Sequence, residues 1–372
     1  MSRPFTRKRY SGAGKRREGG IPFHKRHRKA ITRTLTAVIL ICLVGTGYAY
    51  NLNRKLQNID RVKVGLDEKD RPDPDKGQAL NLLLLGSDKG ETSKPEWKGT
   101  TLAEDVKSGN WPSGKYRSDT IMIVHLSANR KHVYLVSVPR DSFTTLYDEN
   151  GNAQTTEKVN ASFSYYGPSG AISTIEHMSD LRMKHMAIID WDGFKDLTSA
   201  LGGVEIFIPE TFRDPKQKIT WEAGTQLLEG KKALSYVRTR YGLINGDFDR
   251  IARQQNFLRA TMKKTLDSGT MRNPLKLNNT LEAITRNLTV DSDWNAGDMR
   301  GLALSLRGTK EEDVTFMTLP IAGSSQDPTY GSILNIDEAK SAELFEALRG
   351  DTVDEYLKKY PGDELKAPDE VR

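Results

Sequence analysis

Five arginines and two aspartates fall within the 25 residues YVRTRYGLINGDFDRIARQQNFLRA, positions 236–260: Arg238, Arg240, Arg250, Arg253 and Arg259, with Asp247 and Asp249. Three further stretches set charge at the end or start of an apolar run. LLLLGSD ends in Asp88, YRSDT carries Arg117 and Asp119, and SVPRDSF carries Arg140 and Asp141. A guanidinium is a planar fork of donors that grips phosphate oxygens in pairs. Carboxylates held near arginines suit a hard divalent cation such as Mg2+ that bridges them to phosphates. The chemistry these residue types fit is therefore the binding of a phosphorylated, diphosphate-type ligand. Asp88 and Asp119 are the best metal-ligand candidates, because each follows or opens an apolar strand that gives it rigid support. Asp247, near the arginines, is the candidate general base. A surface salt-bridge network stays open as the plainer reading of the same charges.

Other chemistries find little footing. The six histidines (24, 27, 125, 132, 177 and 185) are scattered, with neither H-x-x-x-H nor C-x-x-C, so no zinc spacing exists. There is no catalytic Ser/His/Asp pattern and no G-x-x-x-x-G-K-[ST], which argues against an ATPase.

The elements that must position these groups follow from apolar spacing. ALNLLLLGSD predicts a strand buried on both faces that delivers Asp88 at its carboxyl end. TIMIVHLS (120–127) and HVYLVSVPRD (132–141) read as two strands joined by the tight turn ANRK, and Gly90 to Tyr116 as a long polar loop. Helical spacing appears in SGAISTIEHMS (169–179) and DGFKDLTSALGG (192–203), and again near 250–267, 296–308 and 337–349; HMAIID, GVEIFIP and DVTFMTLP (313–320) read as strands. If extended, YVRTR points Arg238 and Arg240 to the same side. A helix starting near Asp249, which could cap it, places Ile251, Gln255, Leu258 and Met262 on a buried stripe. Arg250, Arg253 and Gln254 then occupy an adjoining polar face, and Arg259 falls off that face into solvent. Strands interleaved with helices give an α/β fold, a three-layer α-β-α domain around a central mixed sheet.

Charge divides the chain. Residues 1–33 hold twelve Lys/Arg and one Glu, which is +11 of a net +7, so residues 34–372 sum to −4. No charge occurs between Arg33 and Arg54, leaving 20 uncharged residues, and a helix of that length spans about 30 Å, the hydrocarbon thickness of a bilayer. One transmembrane helix is expected at 34–53. The positive-inside rule then leaves 1–33 as a cytoplasmic basic tail and places the rest outside, on a single-pass cell-membrane protein. Clusters such as KRHRK favour anionic lipid over any specific nucleic acid. The only cysteine, Cys42, lies within the span, so an outside domain would rely on its core without disulfides. Residues 54–78 are charged and Pro-containing and read as a linker, 79–350 as the folded catalytic domain, and 351–372 as a frayed helix and solvated tail.

The ordered stretches NLLLLGSD, RSDTIMIVHL, VSVPRDSF, KVNASFSYYGP, LGGVEIFIP, LLEGKKALSYVRTR and NGDFDRIARQQ, behind a basic tail and single anchor, strongly resemble the LytR-CpsA-Psr family of bacterial cell-wall assembly enzymes over residues 80–265. That resemblance implies a Mg2+-dependent phosphotransferase. It would move an anionic glycopolymer from a polyprenyl-diphosphate carrier to a peptidoglycan sugar hydroxyl, forming a phosphodiester. Its metal-binding carboxylates fall on Asp88 and Asp119. The diphosphate-gripping arginines fall on Arg117, Arg140, Arg238, Arg240 and Arg250, and its remaining active-site aspartate and glutamine on Asp247 and Gln254. Arg253 and Lys158 lie in family motifs without a fixed role. A lipid tunnel with an apolar lining is also implied. Lys89-Gly90 and the long loop before RSD depart from the family pattern and bear on donor or acceptor preference. Whether the cargo is teichoic acid, arabinogalactan, capsule or another glycan stays open. So do two other activities, a polyprenyl-diphosphate hydrolase and a membrane-anchored regulator.

Overall fold

A computed structural model describes residues 50–66, 68–74, 79–87, 97, 100, 102–108, 111–241, 246–266 and 273–371. The basic tail and most of the expected membrane span lie outside this set. No helix among the described residues is long and apolar enough to cross a membrane.

Seven strands form the central sheet: β1 (Asp60–Val62), β2 (Leu80–Ser87), β3 (Ser118–Leu126), β4 (Val133–Val138), β7 (Met183–Asp190), β12 (Leu288–Asp291) and β13 (Val314–Thr318). Their spatial order is β1-β12-β7-β2-β3-β4-β13. Parallel pairs (β1 with β12, β2 with β7, β4 with β13) are interspersed with antiparallel ones, so the sheet is mixed, as expected. Four two-stranded antiparallel sheets stand outside it among the described residues. They are β5 (Phe143–Tyr147) with β6 (Ala153–Lys158), β8 (Val204–Ile208) with β11 (Gly224–Leu228), β9 (Phe212–Asp214) with β10 (Ile219–Trp221), and β14 (Ile321–Asp327) with β15 (Gly331–Ile336). Residues 50–57 are helical, and the further α-helices among the described residues are α1 (Leu102–Lys107), α2 (Asn160–Ser179), α3 (Trp191–Ala200), α4 (Gly230–Arg238), α5 (Asp247–Leu266), α6 (Pro274–Asn287), α7 (Ala296–Ser305), α8 (Glu338–Arg349) and α9 (Val353–Lys359).

Alternation along β2 makes the layering. Leu83 and Leu85 join Ile123, Val136 and Ile188 beneath α2, α8 and α9 on one face, while Leu82 joins Met122, Leu135 and Phe316 against Leu258, Met262 and Leu302 on the other. Both faces are covered because successive strand residues point to opposite sides and each side is apolar.

Helix α2 begins at Asn160, earlier than the 169–179 pattern predicts, and breaks at Gly167 (φ 66°, ψ −159°) before Pro168. Proline has no N–H to give the carbonyl four residues back. The Ser164 carbonyl instead accepts from the Trp111 indole N–H at 2.9 Å and the Gly114 N–H at 3.0 Å. A Cβ on Gly167 would stand 3.0 Å from the Trp111 ring, so the residue that bends the helix also makes room for the tryptophan.

Several expectations need correcting. The segment read as a linker enters the fold: β1 is an edge strand, Ile59 and Val62 are each 4% exposed, and Arg71 donates to both Glu176 carboxylate oxygens at 3.0 and 2.7 Å and to the Met183 carbonyl at 2.8 Å. Its charges hid two buried apolar residues. The C-terminal stretch is packed as well, with Val353, Tyr356 and Val371 buried and the Leu365 N–H donating to the Phe316 carbonyl at 2.8 Å. The long loop before Arg117 contains α1 and ends in a buried Lys115, whose ammonium meets the Asp105 carboxylate and the Thr100 hydroxyl. The Tyr116 hydroxyl donates to that carboxylate at 2.7 Å; burial, and then Asp105, push its pKa up.

Candidate anion-binding site

The sheet edge where β2, β4 and β7 end and β3 begins is the edge at which open α/β sheets bind ligands. Ser87 pairs with both Ser118 and Asp190 there. Gly86 permits that approach, because a Cβ on it would lie 2.9 Å from the Thr120 Cβ. Asp119, second in β3, accepts from Arg140 Nη1 at 2.6 Å, with Arg240 Nη2 at 4.0 Å. Arg140 follows β4 through Pro139 and also faces Asp141 at 3.4 Å, and Lys158 Nζ stands 3.5 Å from the same Asp141 carboxylate.

Arg238 is the last residue of α4, so its backbone is helical and not extended; the extended geometry starts at Thr239 (φ −60°, ψ 127°). The expected pairing nevertheless holds, because Thr239 is buried between two exposed arginines that reach the same cavity. Thr239 turns inward to accept from Trp221 Nε1 at 3.2 Å and Gln217 Nε2 at 3.0 Å. Helix α5 starts at Asp247, so Asp249 lies within its first turn and is not the residue that precedes it. Gln254 ties three elements together: its Nε2 donates to the Val237 carbonyl at 3.2 Å, and its Oε1 accepts from the Thr120 hydroxyl at 3.5 Å.

These groups enclose a cavity of about 480 Å3 lined by Asp119, Trp191, Asp214, Lys216, Gln217, Leu234, Ser235, Arg238, Arg240, Tyr241, Arg250 and Gln254. Four cations face two carboxylates, so the space favours an anion. Five of the predicted residues meet here: Asp119, Arg238, Arg240, Arg250 and Gln254. Arg140 reaches the site through Asp119. Arg117 does not line the cavity; it is exposed and acts on Glu157 and Tyr165 instead. Asp88 and the Asp247 side chain lie outside the described residues. Two arginines depart from their expected places. Arg253 is fully buried between the Phe212 and Tyr236 rings, and Arg259, expected in solvent, donates to the Lys366 carbonyl at 3.0 Å and Asn256 Oδ1 at 2.7 Å.

The sequence reading missed the far wall. Trp191 opens α3, carries Arg238 over its ring at 5.4 Å, and has a buried Nε1–H without a hydrogen-bond partner. Asp214, 1% exposed, accepts from the Lys216 N–H at 2.8 Å, the Gln217 N–H at 2.9 Å and Gln217 Nε2 at 3.1 Å, and from the Arg240 N–H. Burial opposes its ionisation, but those donors outweigh it and hold the carboxyl below its ordinary range. Lys216 sits over the Tyr241 ring at 5.5 Å. The Asp-Pro-Lys of FRDPKQK was the available turn signal for this wall.

A second cavity, about 680 Å3, lies along the other end of α5 between Ile206, Phe207, Ala260, Met262 and Phe316. Of the arginines considered above, Arg259 alone lines it.

Comparison with known proteins agrees with this architecture. The chain is 30% identical over 305 residues to the cell wall biosynthesis protein LcpA of Corynebacterium glutamicum, covering 73% of this chain and 56% of LcpA. It thus spans little over half that relative's length. It is 26% identical over 284 residues to the polyisoprenyl-teichoic acid–peptidoglycan teichoic acid transferase TagU of Enterococcus faecalis, covering 75% of this chain and 82% of TagU. Its fold is similar to the crystal structure of TagV from B. subtilis, with a TM-score of 0.56 and 23% identity over 76% of this chain and 98% of that one. Residues 43–350, most of the sequence, match the LytR_cpsA_psr family, and the chain belongs to it.

Proposed function

We propose that this chain is a phosphotransferase that moves an anionic glycopolymer from a polyprenyl-diphosphate carrier to a peptidoglycan sugar hydroxyl. The observation that carries this reading is the convergence of Arg238, Arg240 and Arg250 on one cavity beside Asp119. The acceptor hydroxyl oxygen bonds to the glycan-bearing phosphorus, the bond from that phosphorus to the bridging oxygen breaks, and polyprenyl phosphate leaves. Charge builds on the leaving oxygens, where arginine forks fixed in advance offset it without reorganising. Asp247, at the start of α5, is the proposed acceptor of the hydroxyl proton. The apolar residues of the larger cavity offer the lining a polyprenyl chain requires. The 20 uncharged residues after the basic tail support a membrane anchor with the domain outside.

Mg2+ is part of this proposal. Asp119 is a hard oxygen donor at the cavity, and no cluster of three metal-ligating side chains occurs among the described residues. That set fits a cation held by one or two carboxylates, Asp119 with Asp88, and completed by substrate phosphate and water. When bound, it would neutralise phosphate charge.

The test supplies the full chain with a synthetic polyprenyl-diphosphate sugar, Mg2+ and peptidoglycan oligomers. A sugar–phosphate–peptidoglycan product is expected, lost with chelator and reduced about a hundredfold in Arg238→Ala. Free phosphorylated sugar alone would favour the hydrolase, and no turnover across a range of donors would refute both.

A further inference from the structure

Arg253 is the largest fully buried charged side chain among the described residues, at 0% exposure. Its guanidinium carbon lies 4.5 Å from the Phe212 ring centre and 4.9 Å from that of Tyr236. Its guanidinium interacts with the neighbouring Tyr236 hydroxyl, without a hydrogen bond of full geometry at any of its three nitrogens. The acids acting on it are Asp249 and Asp214, and Asp214 is already occupied by backbone donors. An arginine keeps its proton even in such surroundings, and an enclosed charge without a close ion pair is destabilising compared with an apolar side chain of similar size. Stability alone therefore gives no reason for a cation here.

Position does give one. Arg250 and Gln254, three residues before and one after it on α5, line the anion cavity, as do Asp214 and Ser235, which neighbour the two rings that enclose it. Arg253 stands directly behind that wall. A charge in the interior is screened far less than one in water, so its field extends into the cavity at little loss.

We propose that Arg253 is a buried positioning charge of the anion site: its field through the α5 wall holds a phosphorylated ligand against Arg238, Arg240 and Arg250 without touching it. This rests on the diphosphate reading above, and the measurement separates the two.

Inorganic pyrophosphate is titrated calorimetrically into the full chain, with and without Mg2+, for the unmodified protein and for Arg253→Met and Arg253→Lys; melting temperatures are recorded for each. A unit charge on the order of 10 Å from an anion, at an effective dielectric of about 20, changes binding roughly tenfold. Arg253→Met should therefore bind about tenfold more weakly while melting no lower than the unmodified chain. Arg253→Lys, which keeps the charge but not the planar stack, should recover most of the affinity. The methionine effect should persist at high salt, whereas that of Arg240→Gln, at a side chain 39% exposed, should shrink. Undiminished binding by Arg253→Met overturns the inference; so does an equal loss in both variants, which would assign the role to ring stacking. A methionine chain that fails to fold overturns it too, since the charge would then be structural. Absence of pyrophosphate binding by the unmodified chain would instead bring down the anion-site reading itself.

Discussion

Asp214→Asn tests whether the far wall of the cavity is held by charge. The substitution keeps the side-chain shape, so its cost follows from the donors already counted. The Lys216 and Gln217 N–H groups at 2.8 and 2.9 Å keep an acceptor but lose the charge assistance, worth about 1 kcal/mol each. The second carboxylate oxygen becomes an NH2 facing Gln217 Nε2 at 3.1 Å, two donors opposed, which adds about another 1 kcal/mol. The expected loss is about 3 kcal/mol, read as a lower urea midpoint at unchanged denaturant slope. Because the same carboxylate accepts from the Arg240 N–H, pyrophosphate binding should weaken as well, and by more than for a variant of equal stability loss made in the sheet core. A stability loss below about 1 kcal/mol would refute the charge-assisted account. Full stability loss with undiminished pyrophosphate affinity would refute the link from Asp214 to Arg240.

Acid should report on the same residue. With its folded pKa held below the ordinary 3.8, Asp214 contributes stability that is complete above that value and is lost as pH falls through the folded pKa; acid titration of Asp214→Asn should show a shallower decline below about pH 4. Lys115→Met leaves Asp105 without its ammonium partner and should cost about 3–5 kcal/mol in chemical denaturation. Trp191→Phe keeps a ring beneath Arg238 and removes an N–H that has no acceptor. The melting temperature should stay level or rise, within about 1 kcal/mol of stability.

How far the sequence reached depended on the range of the contacts involved. Asp119 and Arg140 were legible because each borders an apolar strand and local alternation fixes where a strand ends. Arg250 and Gln254 followed from helical spacing in the same way. Arg253 shares that spacing, yet Phe212 and Tyr236 arrive from distant segments to enclose it, and no helical period records their arrival. Asp214, Lys216 and Tyr241 escaped notice for the same reason, since each looks like an ordinary turn or surface residue until β9 and β10 fold beside α4. Composition misled at both ends of the domain, where charged neighbours masked Ile59, Val62, Val353 and Val371.

The broken helix α2 has a consequence for how this molecule opens. The Ser164 carbonyl belongs to the helix, whereas Trp111 and Gly114, which donate to it, belong to the strap leading into Arg117 and Asp119. Neither can loosen alone, since freeing the strap would orphan a carbonyl that Pro168 can never satisfy. Strap and helix therefore form one cooperative unit. The Gly114 amide should exchange its hydrogen as slowly as the α2 core, and the segment that leads into Asp119 should resist fraying for as long as the helix stands.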